Sequence, residues 1–330
     1  MVRSLLSMTT RSPVLERLWR GPASPRVYRT VTALALVAVG AIVVSGAAVR
    51  LTGSGMGCPT WPSCEDGSLV PRGATGQHGW IEFVNRTFTG AVSVAVAMAV
   101  LTSRRRRPRR PDLTLWSWGL VAGVAAQALL GGLVVLLHVA PIAVAGHYLL
   151  SAVLVANGVI LHHKASQPDG PTRPRATPQV LQRSALMVAL AGAVLVTGTL
   201  VTGSGPHGGD EAADRLPFAV TTVARLHSLT VWALLALVVV VLRQVGRGDA
   251  DPDAVARGRL LVAAIAAQGA LGYVQYAAGV PEVMVLTHVL GSVLVWMAVL
   301  RFHLALREPL PALDAPMAAA APPTVAVPGP

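Results

Sequence analysis

Apolar residues in this chain gather into eight runs separated by short polar segments. A hydrocarbon core about 30 Å thick needs roughly 20 apolar residues at about 1.5 Å of helical rise each. The runs lie near residues 31–49, 81–102, 113–137, 142–162, 184–203, 219–242, 258–279 and 283–304. This pattern predicts an all-α integral membrane protein with eight transmembrane helices. The first run is too long for the apolar segment of a secretory signal and seven more follow it. It is therefore read as a retained span, although the small residues from Ser45 to Ala48 would also suit a cleavage site.

Charge sets the orientation. With the N-terminus in the cytoplasm, the inner segments hold 22 of the 27 basic residues and leave Arg50, Arg72, Arg86, Arg215 and Arg225 on or near the outside. The expectation is N-in, C-in. A hydrophobic content of 53%, with only 13% charged residues, excludes an ordinary soluble chain. The net charge of +12 would suit a nucleic-acid partner, but the basic residues cluster between apolar runs with almost no aromatic residues among them. They read as topology anchors, and the run Arg104 to Arg107 can also touch anionic membrane lipid, so no nucleic acid is expected. No Gly-rich phosphate loop follows a predicted strand, and two cysteines are too few for a disulfide-rich scaffold or a zinc ribbon.

The chain repeats itself. Thr52-Gly-Ser-Gly55 at the outer end of the first span recurs as Thr202-Gly-Ser-Gly205 at the outer end of the fifth. Gln127, Gly131, Pro141 and His147 are echoed by Gln268, Gly272, Pro281 and His288, with 20 residues from Gln to His in both halves. Four spans per half bring both copies in from the same side, which predicts parallel repeats forming two four-helix bundles side by side. The expected organisation is a basic cytoplasmic tail (1–30), an N-terminal bundle (31–163), a cytoplasmic linker (164–183), a C-terminal bundle (184–305) and a disordered Pro/Ala-rich tail (306–330).

Depth sorts the nine histidines. His78 and His207 fall in outer loops, His138 at the outer end of the third span, and His162, His163 and His303 at the inner interface; these read as solvated or snorkelling groups. His147, His227 and His288 lie about 10 Å inside the outer ends of even-numbered spans, where an ionisable group needs a partner. His227 and His288 share one depth in one bundle and have no Cys or carboxylate cluster around them. That favours bis-histidine heme over zinc or a di-iron site, with hydrogen-bonded core histidines as the plainer alternative. In the first half Asn85 stands where the partner of His147 belongs. Asparagine is a poor iron ligand, so that bundle is expected to keep one histidine and an open side, as a substrate site requires.

Glu82 and Arg86 lie one helical turn apart, either as a surface ion pair or as a functional buried carboxylate with its partner. Arg86 and Arg225 are candidates for neutralising heme propionates, or are anchors at the headgroup level. The outer loop holding Cys58 and Cys64 faces an oxidising compartment, so a disulfide is favoured over free thiols. The same loop leads into Glu82 and would form a lid over the N-terminal pocket.

These residues resemble a known family, the heme A synthases of aerobic membranes. The resemblance rests on Arg50-Leu-Thr-Gly-Ser-Gly55 with Cys58, Trp61-Pro62 and Cys64, on Ile81-Glu82 with Arg86, and on Gly131 to Leu136 before His147. Thr202 to His207, Arg225-Leu-His227 and the segment ending in His288 complete it, over roughly residues 30–305. It implies a multi-pass plasma-membrane oxidoreductase that oxidises the C8 methyl group of heme O to the formyl group of heme A, through an alcohol, for terminal oxidase assembly. It also implies a heme b cofactor on His227 and His288 with Arg225 nearby, and substrate heme near His147, Arg86 and Asn85. Glu82 would be the catalytic proton acceptor or charge stabiliser, and the Cys58–Cys64 disulfide would be needed for activity. Members commonly carry a histidine where this chain has Asn85. The implied partners are heme O, a heme O synthase, membrane lipid and an electron acceptor of unknown identity; a homo-oligomer is compatible. The alternative is a bis-histidine membrane cytochrome that transfers electrons without modifying heme. A transporter is disfavoured because the buried ionisable groups lie toward the outer face and not at the midplane.

Overall fold

The structure, a computed structural model, describes residues 21–65, 67–73, 76–170, 172–247 and 252–309. It contains eight long helices: α1 (Pro25–Leu51), α2 (Gly76–Arg105), α3 (Pro111–Leu136), α4 (Pro141–Ser166), α5 (Pro178–Ser204), α6 (Val220–Val245), α7 (Pro252–Ala277) and α8 (Glu282–Ala305). All eight are long and apolar enough to cross a membrane. Several begin about six residues before the apolar run that predicted them, because the starting signals lie in the polar flanks. Proline occupies the first turn of α1, α3, α4 and α5, where its missing N–H costs nothing. Ser24 and Thr177 cap α1 and α5, accepting hydrogen bonds from the Val27 and Val180 N–H groups at 3.3 and 3.4 Å.

Helix contacts close two rings. In one, α1 touches α2, α2 touches α3, α3 touches α4 and α4 returns to α1; α5 to α8 close the other in the same way. The rings meet along α4–α8, α1–α8 and α4–α5. Two polar pairs cross this seam: the Tyr148 and Ser292 hydroxyls at 2.8 Å, and the Trp296 indole N–H donating to the Ala152 carbonyl at 2.9 Å.

Each ring is packed most continuously toward one end. The first core runs through Tyr28, Val39, Val96, Leu120 and Val159, and the second through Met187, Val238, Leu261, Val299 and Phe302. These residues lie in the halves of the helices nearest the N-termini of the odd-numbered helices, called here the inner end. Val188 and Trp296 pack against both cores and join them. The three deep histidines belong to the outer halves.

The inner end is fastened by charge. Arg106 is only 2% exposed and donates to Asp169 at 2.8 Å, while Arg110 reaches Asp169 at 3.2 Å and Asp112 at 2.8 Å. Partial burial disfavours the Asp169 carboxylate, yet hydrogen bonds from Arg106 and Arg110 prevail and hold its carboxyl below the usual carboxylate range. The segment expected as a plain linker carries the end of α4, a short strand β1 (Thr172–Pro174) and the start of α5. β1 pairs antiparallel with β2 (Arg307–Pro309), where the disordered tail was expected to have begun. Residues 1–20 and 310–330, most of both expected tails, lie outside the described residues.

Close approach of helices depends on glycine at a few places. A Cβ at Gly258 of α7 would stand 2.7 Å from Leu242 and 3.1 Å from the ring of Phe302, which is fully buried and has nowhere to go. Gly258→Ala is expected to cost about 1–3 kcal/mol by overpacking. That should appear as a lower thermal unfolding midpoint in detergent; an unchanged midpoint would show that this three-helix contact has slack.

Candidate functional site

Three histidines and three glycines build the outer half of the bundles. His147 on α4 lies against Gly131 on α3, where an added Cβ would stand 3.3 Å from the ring. His288 on α8 faces Gly272 on α7 in the same way at 3.1 Å, and His227 on α6 faces Gly198 on α5 at 3.3 Å. Each glycine makes a recess in the neighbouring helix that an imidazole fills, and a larger residue would evict the ring. The Gln127 amide donates to the His147 carbonyl at 3.1 Å, and the Gln268 amide to the His288 carbonyl at 2.7 Å, so these two histidines share their local bonding.

The fourth position differs. Asn85 on α2 accepts a hydrogen bond from Ser45 of α1 at 2.7 Å, just as the His227 ring nitrogen Nδ1 lies 3.1 Å from Thr197 of α5. The residue after Ser45 is Gly46, as the residue after Thr197 is Gly198, but a Cβ at Gly46 would meet nothing within 4 Å. The recess is kept and the ring that would fill it is missing.

α2 and α4 are diagonal in the first ring, as α6 and α8 are in the second. Nδ1 of His147 and of His288 is buried without a partner. Among the described residues no group bonds Nε2 of His147, His227 or His288. Polar nitrogens left unpaired in an apolar bundle are unfavourable unless something outside the chain meets them. Free imidazole nitrogens on diagonal helices, with glycine recesses and the continuous cores confined to the other end, fit an iron-bearing macrocycle.

The outer loop closes on this half. Cys58 and Cys64 form a disulfide and are both buried. Glu82, 6% exposed, accepts the Cys58 N–H at 2.7 Å through one carboxylate oxygen and is bonded by Arg86 through the other. Arg86 also donates to the carbonyls of Thr60 at 3.1 Å, Ser63 at 2.9 Å and Cys58 at 3.0 Å. All five N–H groups of the guanidinium are therefore engaged, two on Glu82 and three on the loop. The Glu82–Arg86 pair is thus a buried anchor for the loop and not a surface ion pair. A Cβ at Gly57 would collide with the His78 carbonyl, and the Trp61 ring lies on Gly132. Consecutive glycines of α3 thus serve two partners, Gly131 the histidine and Gly132 the lid.

The two halves also share a roof. The Gly55 N–H donates to the Gly209 carbonyl at 2.8 Å, Arg50 donates to the His207 carbonyl at 2.5 Å, and the His207 ring lies 2.8 Å from the Val280 carbonyl. His207, expected to be solvated, is part of this joint.

The family model for the cytochrome oxidase assembly protein family COX15-CtaA matches residues 29–207, more than half of the chain. The chain belongs to this family. Among curated relatives, a heme A synthase of Lysinibacillus sphaericus (strain C3-41) is 32% identical over 121 residues, 36% of this chain and 39% of that protein. A heme A synthase of Shouchella clausii (strain KSM-K16) is 31% identical over 133 residues, 40% and 44% of the two chains. One from Geobacillus thermodenitrificans is 30% identical over 95 residues, 28% and 29%. The matched stretches thus span less than half the length of each of these relatives. The stretch matched by the COX15-CtaA model contains the disulfide loop, Glu82, Asn85, Arg86 and His147, whereas His227 and His288 lie beyond it.

Of the expected site residues, the structure joins Glu82, Arg86, Cys58 and Cys64 in one network and sets His147 with Asn85, and His227 with His288, on diagonal helices. Arg86 has no donor left for a propionate. Arg225 is exposed and makes no hydrogen bond or ion pair among the described residues. Sequence reasoning missed Ser45 with Gly46 and Thr197 with Gly198. A hydroxyl followed by glycine, seven and five residues before the two Thr-Gly-Ser-Gly motifs, was the available signal.

Arg86→Ala would leave the buried Glu82 carboxylate without its cation and three loop carbonyls without donors. A loss of about 3–5 kcal/mol is expected, with faster proteolysis between residues 56 and 65. Arg86→Lys, with three donors and no fork, should rescue only part of it. Unchanged cleavage in Arg86→Ala would refute the clamp.

Proposed function

We propose that this chain is a heme A synthase of the plasma membrane, built as two repeated four-helix bundles with both termini in the cytoplasm. The observation that carries the proposal is the inequality of two otherwise repeated pockets. One has histidines on both diagonal helices. The other has a single histidine, an empty recess at Gly46 and a loop-sealed carboxylate at its mouth. A carrier that only passes electrons has no use for that asymmetry, whereas a substrate heme needs a pocket with one side open.

In this reading His227 and His288 would hold heme b in the C-terminal bundle, and Arg225 is the free cation for a propionate. When bound, heme b would supply one-electron redox chemistry. Heme O is the substrate in the N-terminal bundle, where His147 faces one side of the ring and Asn85 offers no ligand to the other. Its C8 methyl group is oxidised twice, to the alcohol and then to a hydrated aldehyde that loses water; each oxidation adds the oxygen of one water, releases two protons and passes two electrons to an external acceptor. A heme O synthase is the natural source of substrate.

Glu82 is the proton acceptor. The Cys58 N–H bonds one of its oxygens and Arg86 the other, and the loop keeps bulk water from it. A proton arriving on the oxygen bonded to Cys58 competes with that N–H. Proton uptake and seating of the loop are therefore linked through one carboxylate.

Expression in a host that makes heme O but no heme A, followed by extraction and mass identification of the hemes, tests the reading. Wild type should yield heme A or its alcohol. Glu82→Ala should yield neither while keeping the low-spin heme spectrum, and His288→Ala should lose that spectrum. Unmodified heme O from folded, heme-loaded wild type supplied with an electron acceptor would favour a membrane cytochrome instead.

Asn85→His places a ring where Gly46 leaves room for one. A second low-spin, bis-imidazole signal is expected from the N-terminal pocket, with less heme A formed. An unchanged spectrum would show that Asn85 does not face the substrate iron.

A further inference from the structure

Where the seam between the bundles reaches the inner end it widens into a cavity of about 320 Å³. Both bundles, strand β2 and the residue that follows β1 contribute to it. Leu36 of α1 and Val159 of α4 form an apolar part of its wall, while Arg257 of α7, Arg301 of α8, Arg307 of β2 and Arg175, which follows β1, line its charged part. Four guanidiniums face one lining carboxylate, Asp253, which is largely exposed and already paired with Arg257 at 2.9 Å. The remaining polar lining includes His162, whose ring lies 3.1 Å from the Thr32 hydroxyl. Arg301 and Arg307 make no hydrogen bond or ion pair among the described residues. The site lies far along the bundles from the three deep histidines and plays no part in the chemistry above.

We infer that this cavity binds a phosphate group, carried by the headgroup of an anionic phospholipid or by a soluble phosphate. Planar guanidiniums from separate elements match the oxygens of a phosphate by paired N–H donation, and an entering anion supplies a partner to Arg301 and Arg307. The apolar wall beside the charged one suits the glycerol and upper acyl carbons of a lipid. A basic pocket between membrane-spanning helices at their polar ends is where an anionic headgroup gains most. Bound there, the ligand bridges α7 and α8 to α1, α4 and the strand pair, and so ties the two bundles together at the end opposite their shared roof.

The test uses the full-length protein, delipidated in neutral detergent. Phosphatidylglycerol, phosphatidylcholine or inorganic phosphate is titrated in, and retention by native mass spectrometry and the thermal midpoint are read. Phosphatidylglycerol should raise the wild-type midpoint and be retained, with phosphatidylcholine much weaker. The double variant Arg301→Gln/Arg307→Gln should bind on the order of 30-fold less tightly. Arg243→Gln/Arg247→Gln, which removes the same charge from the inner end of α6, should bind as wild type does. Should the double variant not fold, Arg307→Gln alone, on an exposed strand residue, should show a loss of about fivefold. Stabilisation by inorganic phosphate that competes with the lipid and is lost in the same variants assigns the site to a soluble phosphate. Equal binding of both ligands by wild type and the Arg301/Arg307 variant, or an equal loss in the Arg243/Arg247 control, overturns the inference.

Discussion

An imidazole inside a four-helix bundle needs a place where the neighbouring backbone comes close enough to seat it, and in this protein glycine provides that place. Gly131, Gly198 and Gly272 each receive a histidine from the adjoining helix, and the rest of the outer architecture follows. The bundle interior at that level is then committed to something other than packed side chains. The continuous apolar cores lie at the other end, where they hold the helices together without competing for the same space.

The lid follows a different logic. A loop with three inward carbonyls over a membrane bundle needs donors, and water is not available to supply them. Arg86 meets that need with three of its N–H groups, and Glu82 takes the other two, compensates the charge and captures a loop N–H. The disulfide shortens the loop, Trp61 rests on Gly132, and Gly57 lets the backbone pass the His78 carbonyl. These contacts come from two helices and the loop itself, so the seal is a property of the assembled bundle.

Much of this was legible in the sequence because membrane helices advertise themselves by composition. The eight runs, the depth of His147, His227 and His288, and the departure at Asn85 needed only counting. Helix starts were less legible, since proline and capping residues such as Ser24 and Thr177 lie outside the apolar signal. The pairing of Arg86 with Glu82 was legible in their spacing, but its hold on the loop carbonyls was not. A basic residue near the headgroup level looks the same whether it meets a propionate, a lipid or loop carbonyls, and only the fold decides. The β1–β2 pair escaped for a similar reason: three-residue strands have no periodicity, and their pairing joins residues far apart in the chain.

The shared roof bears on how the protein comes into being. Gly55 belongs to the lid region of the first bundle, yet its N–H is met by Gly209, and Arg50 reaches His207. Both partners are synthesised more than a hundred residues later. While the ribosome has delivered only the first four helices, the lid has its inner anchor on Arg86 but lacks its outer one. Closure of the lid at both anchors therefore waits on folding of α5 and of the loop that follows it, so part of the first half of the chain is finished last.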